Sequence, residues 1–313
     1  MLRYILIFLA SFSCCSPSIG LSDKKITIIL PIQHQALNDI VSGFQKTLLE
    51  IYKEPLKIKL LNAQGDYNIQ SAMIQQAHKD KETDLVVTVA TGVLQSAANI
   101  IENKPVLGLA ALYSEEDLKK RRVHNISVVQ DEIPISQSLE FIRSLFPKIK
   151  KITLVHSNMP KTQEEVMQFQ KLAQSFGITV QKLLVPNLVD LYSVSKSIHK
   201  DSEIIFILKD SLIASGINTL KQQAAKLGKP LVTSDEGTVI NGADIALGVV
   251  EADIGSQGAK IASNLLQNIS QETRISIMKD LTVFYNAKSD ISENLVKSIA
   301  CKYGYKFQKI KTD

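Results

Sequence analysis

The sequence predicts an α/β fold with two doubly wound lobes, each built on a parallel sheet. Short apolar runs rich in β-branched residues alternate with amphipathic stretches of helical spacing, which is the rhythm of βαβ units. This rhythm runs from residue 25 to residue 110 and starts again near residue 134. The chain has 313 residues, 45% of them hydrophobic, which exceeds the usual size of one domain and can fill two cores.

Four strands are predicted in the first half of the chain, with a helix after each of the first three. The strands are expected near 25–31, 56–62, 84–90 and 105–110, and the helices near 35–52, 68–79 and 92–102. This order favours parallel pairing through right-handed crossovers and places a binding crevice at the carboxyl ends of the strands. The polar stretch 113–125 follows and is predicted to be a hinge between the halves.

The second half repeats the pattern. Helices are expected near 134–146, 162–176, 189–199 and 211–227, and strands near 151–156, 178–184, 203–208 and 230–233. A strand near 244–250, a helix over 252–267, a strand over 281–286 and a short helix near 289–302 close the chain. Such an ending lets the polypeptide cross back between the lobes.

Residues 1–20 are predicted to be a signal peptide. Arg3 precedes an apolar run over 4–12, and the small residues Ser18 and Gly20 suit cleavage before Leu21. The apolar run is well short of the roughly 20 residues that span a bilayer. Export to the periplasm is therefore expected, and a lipid anchor through Cys14 or Cys15 is the alternative.

Composition and motifs exclude several classes of function. The formal charge of +5 is spread along the chain, which gives no support to nucleic-acid binding. The nucleotide-binding glycine patterns, the paired-histidine and paired-cysteine motifs and the serine-nucleophile elbow are all missing, and the five histidines lack metal-ligand spacing. A mature chain cut after residue 20 keeps only Cys301, so no intramolecular disulfide is expected. We therefore expect no enzyme activity, no cofactor and no metal.

One constellation does indicate chemistry. Thr91 and Gly92 stand between the third strand and the next helix, where backbone N–H groups favour an anion. Asp210 and Asp235 follow strands of the second half, where carboxylates would favour an amine. An anion site on one lobe and an amine site on the other suit a small zwitterion held between them.

These residues resemble the solute-binding proteins of bacterial ABC transporters, in particular the tryptophan/tyrosine-type group with a type I periplasmic-binding fold. The resemblance covers nearly all of residues 25–287. It rests on segments 31–37, 62–66, 90–91, 246–249 and 253–255, together with Gln95, Asp131, Pro134, Asp210, Ser234 and Asp235.

The resemblance implies a three-strand hinge and a division into two discontinuous lobes. The first lobe would comprise residues 21–128 and 250–281, and the second residues 129–249 and 282–313. The three crossovers would fall near 127–131, 248–252 and 280–284.

Ligand contacts are also implied by the resemblance. Thr91 would hold a ligand carboxylate, although a plain helix N-cap is the alternative. Asp210 and Asp235 would hold an amine, although aspartate after a strand is also a common cap. Further contacts would come from Gly92, Gln95, Gln130 and His34, the last of which could equally be a surface imidazole.

The function implied is capture of a small amino-acid-like solute by a monomer that delivers it to a membrane permease. An aromatic amino acid is one candidate. The absence of Trp and the sparse aromatics near the strand ends leave open a different small amphiphile. An exported enzyme or a sensor domain on the same fold is the alternative function.

Overall fold

The structure is a computed structural model that describes residues 23–33, 35–114, 116, 125–269 and 274–312. Its strands are β1 (Lys24–Leu30), β2 (Leu56–Asn62), β3 (Leu85–Val89), β4 (Val106–Leu109), β5 (Ile126–Gln130), β6 (Lys151–Ser157), β7 (Thr179–Val185), β8 (Ile204–Phe206), β9 (Leu231–Thr233), β10 (Ile245–Gly248), β11 (Ile275–Ile277), β12 (Thr282–Asn286) and β13 (Lys306–Ile310). The described helices are α1 (Gln35–Ile51), α2 (Tyr67–Lys79), α3 (Thr91–Ile100), α4 (Ile135–Leu145), α5 (Pro160–Ser175), α6 (Leu191–Ser195), α7 (Ser211–Ser215), α8 (Ile217–Leu227), α9 (Glu236–Ile240), α10 (Glu251–Leu266) and α11 (Glu293–Tyr303).

The strands form two sheets, which confirms the predicted fold class. The first sheet has six parallel strands in the order β11-β5-β4-β3-β1-β2. The second has seven strands in the order β13-β12-β10-β9-β8-β6-β7. We call each sheet with its helices a lobe. The chain passes between the sheets three times, after β5, after β10 and after β11.

Buried strands and amphipathic helices build both lobes. The central strands β3 and β4 are buried throughout, as the apolar runs at these positions require when helices cover both faces of a parallel sheet. The helices α1 and α10 pack closely in the first lobe: a Cβ on Gly43 would lie 2.2 Å from the Ala252 carbonyl oxygen, and one on Gly255 would lie 2.0 Å from that of Ile40. No side chain fits between these two backbones.

Two strands at one edge of the second sheet run against its other strands. Strand β12 pairs antiparallel with β10, and β13 then pairs parallel with β12. The reason is topological: the chain leaves the second sheet at the carboxyl end of β10 and returns from the first lobe at that same edge, so β12 must run the opposite way.

Several predictions about single elements were wrong. The predicted hinge over 113–125 joins β4 to β5, which are neighbours in the first sheet, so it connects strands within one lobe. The helix predicted over 211–227 breaks at Gly216, where a Cβ would lie 2.2 Å from the Leu191 side chain. The helix predicted over 189–199 is a 3₁₀ turn, Leu188–Asp190, followed by the short α6. Strands β11 and β13 and helix α9 were not predicted.

The predicted leader and its two cysteines lie outside the described residues. Within the described ranges, none of the helices combines the length and the apolar character needed to cross a membrane. Those ranges also contain no group of three or more His, Cys, Asp or Glu residues arranged to hold a metal ion.

Candidate functional site

Strain marks the carboxyl ends of two strands in the first sheet. Ala90 follows β3 with φ 75° and ψ 152°, and Ala110 follows β4 with φ 48°. An alanine in either conformation is unfavourable, and residues held in this way cluster at ligand sites. Hydrogen bonds hold Ala90 in place, because its N–H donates to the Leu109 carbonyl at 2.9 Å.

Thr91 opens helix α3 directly after this strained residue. The N-cap position is Ala90, which makes no side-chain cap, so the alternative role of Thr91 as N-cap is not the one observed. Its hydroxyl instead accepts a hydrogen bond from the Leu112 N–H at 3.0 Å. The first N–H groups of a helix have no acceptor within it. Next to them, a Cβ on Gly92 would meet no atom within 4 Å, so the start of α3 is open on this side.

Gln95 and Gln130 line one cavity between the lobes, of about 790 Å³. Ile275 and Ile277 line it from the first lobe, and Lys161 and Glu164 line it from the second. The Gln130 side chain donates to the Tyr113 carbonyl at 2.8 Å, which fixes one wall of the cavity.

Asp210 is buried, with 3% of its surface exposed, and its carboxylate is occupied within the protein. One oxygen accepts from the N–H groups of Leu212 at 3.1 Å and Ile213 at 3.3 Å, and the other accepts from Ser157 N–H at 2.7 Å. Asp210 is therefore the N-cap of α7 and ties β6 to β8. This geometry favours the capping role over a ligand contact.

Asp235 also caps a helix, but it is partly exposed. Its Oδ1 accepts from Thr238 N–H at 2.9 Å at the start of α9. Asp210 and Asp235 follow the adjacent strands β8 and β9, so the structure brings them to one edge of the second sheet. Thr91 belongs to the other lobe, and His34 lies outside the described residues.

Sequence reasoning used Asp131 only as part of the resemblance and missed the contacts that meet at the crossovers. Lys209, at the carboxyl end of the β8 segment, forms an ion pair with Asp131 of the first crossover, and its Nζ lies 3.8 Å from Glu251 Oε1 at the second. Asp131 and Glu251 are nearly buried, with side chains 8% and 10% exposed. We call these three residues the hinge triad. They are 42 to 120 positions apart, since 251 − 209 = 42 and 251 − 131 = 120, so spacing could not reveal them.

Burial and charge perturb the hinge triad. Burial raises the pKa of Glu251 to about 7, because the attraction of Lys209 is offset by the negative charges of Asp131, Asp235 and Glu236. Burial alone would lower the pKa of Lys209, but the attraction of Asp131 and Glu251 outweighs it and holds this pKa above its usual value. The cation of the triad is therefore firmly charged, whereas Glu251 titrates near neutral pH.

A separate cavity of about 410 Å³ lies in the second lobe, lined by Lys221, Asp244 and Asn286 among others. Leu231 and Asp244 place it at the amino ends of β9 and β10. Open α/β sheets bind ligands at the carboxyl ends of their strands. The candidate site is therefore the cleft between the lobes.

Two parallel-sheet lobes, three crossovers and an interlobe cleft define the class of two-lobed periplasmic-binding-protein-like folds. Within this class, residues 25–297 match the family described as ABC transporter substrate binding protein, and the chain belongs to that family. The family is one of substrate-binding proteins and not of enzymes.

The chain is also similar to individual relatives and to solved structures. The chain is 37% identical over 274 residues to an uncharacterized protein of Rickettsia prowazekii (strain Madrid E), covering 87% of this chain and 86% of that one. It is 24% identical to a tyrosine-binding protein of Clostridioides difficile (strain R20291), covering 82% and 79%. Its fold is similar to that of an ABC domain in complex with L-Trp from Streptococcus pneumonia, with a TM-score of 0.74, 25% identity and coverage of 88% and 98%.

Proposed function

We propose that this protein is the solute-binding component of an ABC importer, which captures a small zwitterionic solute between its lobes and delivers it to a membrane permease. The observation that carries the proposal is the interlobe cavity of about 790 Å³ at the carboxyl ends of the strands, in a chain of the substrate-binding family. The names of the two relatives that bind tyrosine and L-Trp support an amino-acid-like ligand. Export to the periplasm and a monomeric state belong to the same proposal.

The ligand would contact both lobes. The open start of α3 with Thr91 and Gly92 offers N–H groups to a carboxylate, and Gln95 and Gln130 offer polar contacts from the same lobe. Asp235 offers a partly exposed carboxylate from the second lobe to an amine. A ligand bound by both lobes at once favours the closed arrangement, since only the closed form makes both sets of contacts.

Native mass spectrometry of the purified mature protein, with a thermal-shift screen of amino acids and nucleosides, tests the proposal. A retained or stabilising solute that is released unchanged supports a carrier. Conversion of the solute into a product would instead support the exported-enzyme alternative.

A further inference from the structure

The lysines of the cleft are each shared between two carboxylates. Lys161 forms an ion pair with Glu132, and its Nζ lies 3.5 Å from Glu165 Oε1. Lys209 is held in the same way within the hinge triad. Each of these groups of three residues therefore carries one negative charge in excess when its carboxylates are ionised.

Further carboxylates lie near these groups, and the charges of Asp235 and Glu236 act on Glu251. Glu164 lines the interlobe cavity, and Asp235 and Glu236 follow β9. Burial raises the pKa of Glu236 although Gln308 donates a hydrogen bond to it, and the negative charges of Asp39 and Asp235 raise it further. Asp39 belongs to α1 of the first lobe, so like charges act on each other across the cleft. In a chain of net charge +5, the described part of the cleft is negative.

Glu251 has no hydrogen-bond donor among the described residues. Its side chain is nine-tenths buried, and the nearest cation, Lys209 Nζ, is 3.8 Å away, which is beyond hydrogen-bond range. Lys209 therefore supplies a nearby positive charge to Glu251 but no hydrogen bond, so this nearly buried carboxylate can still accept hydrogen bonds from a cationic group. The buried Thr282 hydroxyl also has no hydrogen-bond partner in the described chain, and it pairs in register with Gly248, three residues before Glu251.

We propose that the ligand of this cleft carries a net positive charge, as an amino acid with a basic side chain does, and that Glu251 receives its cationic group. This inference rests on the proposed function and narrows its ligand class. The negative field of the cleft attracts such a solute and disfavours an anionic one. The lining of the interlobe cavity agrees with a ligand that is not aromatic, because Tyr113 is the one aromatic residue among the described residues that line it, and Tyr113 is buried.

Calorimetry at pH 7.5 with L-lysine, L-arginine, L-tyrosine and L-tryptophan tests the ligand class. One of the two basic amino acids should bind at least about tenfold more tightly than either aromatic one, as expected for a buried charge contact. Equal or tighter binding of an aromatic amino acid, or no binding of either basic one, overturns the inference.

The role of Glu251 is tested with Glu251→Gln, which removes the charge and keeps the size. Glu102→Gln is the matched control, because Glu102 is an exposed residue just after α3 in the first lobe. The first variant should weaken binding of the basic amino acid by roughly tenfold or more, and the control should leave it unchanged. Equal affinity in the two variants removes Glu251 from the site.

Proton release gives a second readout. Glu251 is partly protonated in the free protein near pH 7, and a cation beside its carboxylate displaces that proton. Titrations in two buffers of different ionisation enthalpy should show proton release on binding in the wild type and its loss in Glu251→Gln. Unchanged release in the variant contradicts the assignment.

Failure of this inference differs from failure of the proposed function. If L-tryptophan or L-tyrosine binds more tightly than the basic amino acids and compacts the protein in X-ray scattering, the ligand class is wrong and solute capture stands. If a solute binds without any compaction, the capture mechanism itself is wrong.

Discussion

Replacing Glu251 with Gln should change how protein stability depends on pH. In the folded protein burial raises the pKa of Glu251 to about 7 from an ordinary value of 4.5. The folded state therefore keeps its proton at pH values where the unfolded chain has lost it. The stability that this group contributes is fully present below pH 4.5 and is lost as the pH rises through about 7.

The size of the effect follows from the same shift. A difference of 2.5 pKa units, from 4.5 to about 7, corresponds to about 3 kcal/mol in total, at 1.36 kcal/mol per unit. Between pH 5 and pH 8 the free energy of unfolding of Glu251→Gln, minus that of the wild type, should rise by about 2 to 3 kcal/mol. All other titratable groups are the same in the two proteins. Their contributions to the free energy of unfolding therefore cancel in this difference, provided that the substitution leaves them unaltered.

Urea unfolding followed by circular dichroism at pH 5, 6, 7 and 8 measures this difference in the free energy of unfolding. Glu102→Gln is the control. The control should run parallel to the wild type, because Glu102 is exposed. A difference for Glu251→Gln that stays constant to within about 0.5 kcal/mol over this range would refute the reasoning. The ion pairs of the hinge triad would then hold Glu251 ionised at all these pH values.

Three further predictions concern the strand ends. Asp210→Ala should lower the free energy of unfolding by about 2–4 kcal/mol, because it removes the cap of α7 and leaves the buried Ser157 N–H without an acceptor; unchanged stability with lost binding would instead show a ligand contact. Ala90→Gly should raise the free energy of unfolding by roughly 1 kcal/mol in urea, since relief of strain exceeds the added chain entropy; a decrease of that size would show that φ 75° is not strained. Asp235→Asn should keep the cap of α9 yet weaken amine binding as much as Asp235→Ala does, measured by calorimetry; wild-type affinity in the Asn variant would remove the charge of Asp235 from recognition.

Local sequence pattern was sufficient to predict two sheets and most of their strands, but not β11 or β13. The buried runs of β3 and β6 and the amphipathic helices between strands carry a strong signal, because both faces of each parallel sheet are covered. The short β8 and β9, with three residues each, were found because they also lie in buried apolar runs. The exposed edge strand β13 was missed because its alternating pattern starts directly after a helix and includes three polar residues.

The hinge and the charged floor of the cleft depend on tertiary contacts. Nothing local shows that β5 pairs with β4, so the polar stretch 113–125 was wrongly predicted to be the hinge; the resemblance placed the first crossover near 127–131, and the chain leaves the first sheet after Gln130. Lys209 is adjacent in sequence to the predicted Asp210, but its partners Asp131 and Glu251 belong to other crossovers. In the sequence Asp210 and Asp235 look alike, because each follows a predicted strand. In the structure they differ, because Asp210 is buried and accepts a hydrogen bond from the Ser157 N–H of the neighbouring strand β6, whereas Asp235 is partly exposed.

Small-angle X-ray scattering of the mature protein, with and without the solute that binds most tightly in calorimetry, tests the central claim most directly. Solute capture by both lobes predicts a smaller radius of gyration in the bound state, and Asp235→Ala should reduce the change at a fixed solute concentration. Superimposable curves at saturating solute would contradict the account, because they would show a ligand that binds without drawing the lobes together.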